Sequence, residues 1–85
     1  MKLDNRIKEL IAVGASITAN CQPCLQYHAS EGLKSGADEQ EIREAIEVGK
    51  MVRRGAASKM DQFAASLSQS DAPSYISTEA GGCSS

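Results

Sequence analysis

Asp38-Glu39-Gln40-Glu41-Ile42-Arg43-Glu44-Ala45-Ile46 reads as the beginning of a helix. Asp38 and Glu41 stand at the Asp-x-x-Glu spacing of a capping box, in which each side chain accepts from the other residue's backbone N–H. Acidic residues crowd the first turn, where the positive end of the helix dipole favours them. Behind this start, Ile42, Ala45, Ile46, Gly49, Val52, Ala56, Met60, Phe63 and Leu67 recur at spacings of three and four, the period of an amphipathic helix. Gly49 and Gly55 each weaken such a helix by up to about 1 kcal/mol relative to alanine. Two readings account for them: a bend near Gly55, or small sites at Gly49 and Ala56 that admit another backbone closely.

Working back toward the N-terminus, Leu3, Ile7, Leu10, Ile11, Gly14 and Ile17 repeat the helical period and predict a helix from about residue 3 to about residue 19. Asn20 then offers an N-cap for a second helix. Pro23 sits in its first turn, where a missing N–H costs little. Leu25, Ala29 and Leu33 continue it, and Gly32 or Gly36 ends it. Toward the C-terminus, Ser68-Gln69-Ser70-Asp71-Ala72-Pro73-Ser74 and Gly81-Gly82-Cys83-Ser84-Ser85 have linker composition. The expected organisation is one helical domain over residues 1–68 and a loose tail over 69–85. With no alternating strand pattern, the fold class is all-α.

The chain has 85 residues, with one Phe, two Tyr and no Trp. A single domain this short buries only about 60% of its unfolded surface. A core without large groups leaves a monomer marginal, so a homo-oligomer is expected. The formal charge is −2, with acids and bases interspersed. The absence of a basic stripe argues against nucleic acid. No apolar run approaches the roughly 20 residues that span a bilayer, and the N-terminal residues turn polar at once, unlike a signal peptide. The expected location is therefore cytoplasmic, with no membrane partner. Cysteines there are more often catalytic or metal-binding than structural.

Cys21-x-x-Cys24-x-x-x-His28 is the chemical centre. On a helix these three positions fall within roughly 60° of one another. Cys24 and His28 are neighbours at i,i+4. Unpaired N–H groups at a helix start stabilise a thiolate. A thiol of pKa about 8.5 when free drops to about 3.5–7.5 beside such groups or an imidazolium. The thiolate attacks a peroxide or disulfide, and a second thiol three residues away condenses with the oxidised first one. The rival reading is a metal site of Cys21, Cys24 and His28 with Cys83 as a fourth ligand. Spacing favours redox, because zinc sites more often pair knuckles from separate segments. The redox reading calls for no cofactor.

Glu9 widens the site. It lies well off the first helix's apolar stripe, on a face shared with Val13, Ser16 and Asn20. Periodicity alone makes it a solvated glutamate. Should that second face pack on the cysteine helix, its carboxylate would orient His28 and accept its proton, making His28 a stronger base for Cys24. Tyr27 adjoins the site and is read as packing. Arg53 and Arg54 are read as a solvated helix face, and Met51 and Met60 as core or interface fillers.

The full pattern Glu-x11-Cys-x2-Cys-x3-His, filled by Glu9, Cys21, Cys24 and His28, resembles the signature of the AhpD-like group of the carboxymuconolactone decarboxylase superfamily. The flanking Arg6-Ile7-Lys8-Glu9-Leu10-Ile11-Ala12-Val13-Gly14 and Glu41-Ile42-Arg43-Glu44-Ala45-Ile46 are similar too, and the likeness covers about residues 3–65. The resemblance implies a compact all-helical subunit, trimeric or hexameric, with the CxxC at a helix N-terminus. It implies peroxidase or disulfide-reductase activity drawing electrons from a lipoyl or thioredoxin-like protein. By position, Cys24 would attack the peroxide and Cys21 resolve it, with His28 and Glu9 relaying the proton. Decarboxylase members lack the cysteine pair, so their lactone chemistry does not carry over. Some members place a histidine between the cysteines, where this chain has Gln22-Pro23. Cys83 lies outside the signature and is read as a spectator, with resolving or metal-delivery thiol as the other roles.

Overall fold

A computed structural model describes residues 1–71. Three helices follow in order: α1 (Asn5–Thr18), α2 (Gln22–Lys34) and α3 (Glu39–Asp71). There is no strand among the described residues, as the patterning predicts. The chain divides into two units, Met1–Gly55 and Ala56–Ser85. The expected tail, residues 69–85, lies outside the described residues apart from the helix end at 69–71, and Cys83 lies outside them altogether.

In the first unit the starts of α1 and α3 rest on capping side chains, and α2 ends at a glycine. Asp4 caps α1, its carboxylate accepting from Ile7 N at 2.9 Å. The predicted capping box opens α3: Glu41 N donates to Asp38 Oδ1 at 2.8 Å and Asp38 N to Glu41 Oε1 at 3.2 Å. The other oxygen of Glu41 accepts from Arg6 Nη1 at 2.6 Å, which ties the start of α3 to α1. At the end of α2, Gly36 takes φ +103°. Ala37 N then bonds Gly32 O at 3.0 Å and Gly36 N bonds Leu33 O at 3.2 Å, the two bonds of a Schellman motif. Gly36 is thus the terminator, and Gly32 stays inside the helix.

Asn20 departs from the sequence reading. It does not cap α2 but closes α1, with φ +56°. Asn20 N bonds Ile17 O at 3.1 Å and Cys21 N bonds Ser16 O at 3.0 Å, a second Schellman motif. Asparagine tolerates the left-handed region as few other side chains do, which suits it to this position. The N-cap of α2 passes to Cys21.

The packing also departs from the apolar stripe. The buried residues of α1 are Val13 and Ser16, on the face that carries Glu9. Ser16 answers its own polarity by donating to Ala12 O at 2.7 Å. Val13, Ala37 and Ile42 form a small core, with Leu10, Leu25, Ala29, Ala45 and Ile46 packed against it. The stripe itself, with Ile7, Leu10, Ile11 and Gly14, instead lines an open apolar groove of about 520 Å³ whose other wall is Ala45, Val48, Gly49 and Val52 of α3. Ile11 is 56% exposed. Periodicity identified an apolar face, and among the described residues part of it stays open.

α1 and α3 meet at Gly14 and Gly49. A Cβ added at Gly49 would collide with the Gly14 carbonyl oxygen and lie 2.8 Å from Ile17 Cβ. Thr18 Oγ1 bridges the crossing, 3.1 Å from Gly14 O and 3.2 Å from Gly49 O. Close approach is therefore the role of Gly49. Ala56, expected to share it, is exposed. The helix runs unbroken through Gly55, where an added Cβ would meet nothing within 4 Å. In the second unit, the described part of α3 exposes Met60, Phe63 and Leu67.

Candidate active site

Cys21 belongs to two helices at once. Its N–H completes the Schellman motif of α1, its carbonyl accepts from Leu25 N at 3.0 Å, and its Sγ accepts from Cys24 N at 3.3 Å as the N-cap of α2. The sulfur is therefore held against the Cys24 N–H at the start of α2, where negative charge on sulfur is favoured. Pro23, within the first turn, has no N–H to leave unsatisfied there. Cys21 and Cys24 are joined by a disulfide, with Cα atoms 5.2 Å apart. Cys24 is exposed, whereas Cys21 is partly covered and lines a small cleft with Ser16, Ile17, Asn20, Gln22 and Leu25.

His28 follows one turn after Cys24 on the same helix. Its Nδ1 lies 2.6 Å from Glu9 Oε1, across from α1. The side chains of Glu9 and His28 are 18% and 31% exposed. With the carboxylate accepting, Nδ1 carries the ring proton and the Nε2 lone pair remains available as a base. The face of α1 that meets α2 is the one that holds Glu9. Gly32 opposite is buried, and an added Cβ there would stand 3.0 Å from Ile42 Cδ1 and 3.6 Å from Glu9 Cβ. Small residues at the crossing thus let a carboxylate reach an imidazole on the neighbouring helix.

All four signature residues fall in the first unit. Cys21 and Cys24 are bonded, Glu9 and His28 are paired, and Cys24 and His28 share one side of α2 at i,i+4. Tyr27 is exposed and meets the His28 ring edge to face, with centroids 5.0 Å apart. Among the described residues no group of three or more His, Cys, Asp and Glu side chains is arranged to hold a metal ion. The fourth residue of the metal alternative, Cys83, lies outside them. Arg53, read as part of a solvated face, is half-buried. Its Nη1 bonds Ile17 O at 3.2 Å and Asn20 Oδ1 at 2.8 Å, the latter on the residue that precedes Cys21. No local sequence signal announces a contact over 33 residues.

Residues 1–67 of this helical chain match the model of the carboxymuconolactone decarboxylase family, and the chain belongs to it. A relative from Paracoccus denitrificans, described as "Uncharacterized protein 4 in cox locus", is 40% identical over 55 residues. That match covers 65% of this chain and 50% of the relative, so the chain spans about half the length of the protein it matches. No solved structure matches the chain. Among the described residues, no helix is long and apolar enough to cross a membrane.

Proposed function

We propose that the chain is an AhpD-like thiol oxidoreductase that reduces hydroperoxides or disulfides through Cys21 and Cys24. The observation that carries this reading is the Glu9–His28 pair, 2.6 Å apart, next to a Cys21–Cys24 disulfide. A buried structural bridge has no need of a base on the following turn. A redox pair that must ionise a thiol and protonate a leaving group does.

In the proposed cycle, His28 Nε2 takes the Cys24 proton while Glu9 steadies the imidazolium. The Cys24 thiolate attacks the terminal oxygen of the hydroperoxide, the O–O bond breaks, and His28 returns the proton to the departing alcohol. Cys24 is left as a sulfenic acid. Cys21 Sγ attacks it and expels water, which forms the disulfide. A dithiol donor, of lipoyl or thioredoxin-like type, then supplies two electrons by thiol–disulfide exchange and returns both cysteines to thiols. The assignment of attack to Cys24 agrees with its greater exposure. No cofactor enters the cycle.

The proposal extends to assembly. Among the described residues Val13 is the largest fully buried side chain, while an apolar groove stays open. We infer that further copies of the chain cover that groove, as a trimer or hexamer, and that the working protein is cytoplasmic.

Thiol counting before and after one equivalent of peroxide tests the chemistry. The reduced chain is expected to lose two thiols, with Cys24→Ser losing none to a disulfide at the wild-type rate. Undiminished peroxide consumption by Cys24→Ser would overturn the assignment. Stoichiometric zinc on the purified chain, with thiols that resist peroxide, would favour a metal-binding role instead.

A further inference from the structure

Arg53 reaches from α3 to the end of α1, where its Nη1 bonds Ile17 O and Asn20 Oδ1. Both acceptors are neutral. Among the described residues the ion pairs are Arg6–Glu41, His28–Glu9, Lys34–Glu31, Arg43–Glu39 and Lys50–Glu47, so no carboxylate offsets Arg53. The last turn of α1 has no basic residue and the first turn of α2 no acidic one. Arg53 therefore supplies from α3 the cation that the C-terminal end of α1 lacks. The residue that follows Asn20 is Cys21.

We propose that Arg53 is a positioning residue of the cysteine pair: through Asn20 it holds the turn from which Cys21 caps α2, and it brings a positive charge, unpaired among the described residues, to the residue before Cys21. The inference rests on the reading of Cys21 and Cys24 as a working redox pair. Reduction by glutathione cleaves the Cys21–Cys24 bond. Two glutathione thiols supply two electrons and two protons and leave as glutathione disulfide. In the reduced protein a nearby cation favours the thiolate form, and stabilising the reduced state makes the pair a stronger oxidant. A fixed turn adds to this, because the Cys24 N–H that meets Cys21 Sγ stays aimed at it.

The test equilibrates the full chain with glutathione buffers at pH 7 and reads the reduced fraction by alkylation and mass. Arg53→Gln is expected to lower the equilibrium constant for reduction roughly two- to fivefold, the size of one partly exposed charge near a helix end. Arg53→Lys, which keeps the charge, is expected to recover most of the loss. Asn20→Gly retains the left-handed turn but removes the Oδ1 anchor. It is expected to shift the constant the same way, and it serves as the readout if Arg53→Gln does not fold. An Arg53→Gln or Asn20→Gly chain with the wild-type constant would overturn the proposal. So would equal shifts in the Gln and Lys variants, because the charge would then not be the cause. No peroxide enters the measurement. A chain that shows this Arg53 dependence yet turns over no hydroperoxide keeps the inference and loses the peroxidase reading.

Discussion

At the scale of single residues, Glu9 depends on what it faces. A carboxylate on a half-exposed helix is ordinarily solvated, but Gly32 on α2 leaves room for Glu9 to reach His28. Its geometry suits a residue that orients an imidazole and stabilises its cation, a role in which general acid–base groups contribute about 10²–10⁴-fold. Glu9→Gln is therefore expected to slow single-turnover thiol oxidation by peroxide on the order of 100-fold, measured by stopped flow on the reduced chain. A wild-type rate would sink the relay. The sequence carried Glu9 only through its spacing to Cys21. Its position on the helical wheel argued the other way, because the wheel cannot say which of two faces a neighbour will occupy. Arg53 was illegible for a different reason: its partners lie at Ile17 and Asn20, a separation that no local pattern spans.

At the scale of helices, the two glycines of α3 separate cleanly. Gly49 lies against the Gly14 carbonyl, where an added methyl has backbone in its way, while Gly55 faces open space. Gly49→Ala is expected to destabilise the chain by about 1–3 kcal/mol, the usual cost of overpacking, or to part α1 from α3. Gly55→Ala is expected to stabilise it by about 0.5–1 kcal/mol through helix propensity. Thermal unfolding of both variants checks the pair, and equal shifts would contradict the crossing. Helix identity was legible throughout, since capping chemistry and periodicity are local. The Asp38–Glu41 box was readable for that reason. The boundary at residues 20–21 was not, because Asn is a competent N-cap and also a competent left-handed C-terminal residue. Only the bonds from Asn20 N and Cys21 N to α1 decide between them.

At the scale of the molecule, the groove-lining part of the α1 stripe is the apolar surface that the described residues leave open. Ile11 and Val48 are about half exposed on opposite walls of the groove. Composition predicts a core without large side chains, and the buried cluster of the described residues is Val13, Ala37 and Ile42. Which face would be buried within the chain was not foretold, since an apolar period looks the same whether its cover comes from the same chain or another. Ile11→Lys and Val48→Lys are expected to reduce the sedimentation mass of the assembly to that of a monomer. A monomeric wild-type chain, or an unchanged oligomer in both variants, would refute self-association through this groove.

The double duty of Cys21 bears on how such a chain can change over generations. Its N–H ends one helix and its sulfur begins the next, so no slack separates them. One residue gained or lost inside α1 would turn Glu9 by about 100° relative to the cysteines, and one gained between Asn20 and Cys24 would unseat two helix ends together. Substitutions can accumulate on either side, but insertions and deletions there should be purged in descendants that still need the pair. The eleven residues between Glu9 and Cys21 then act as a ruler, a length kept by mechanics even where its letters drift.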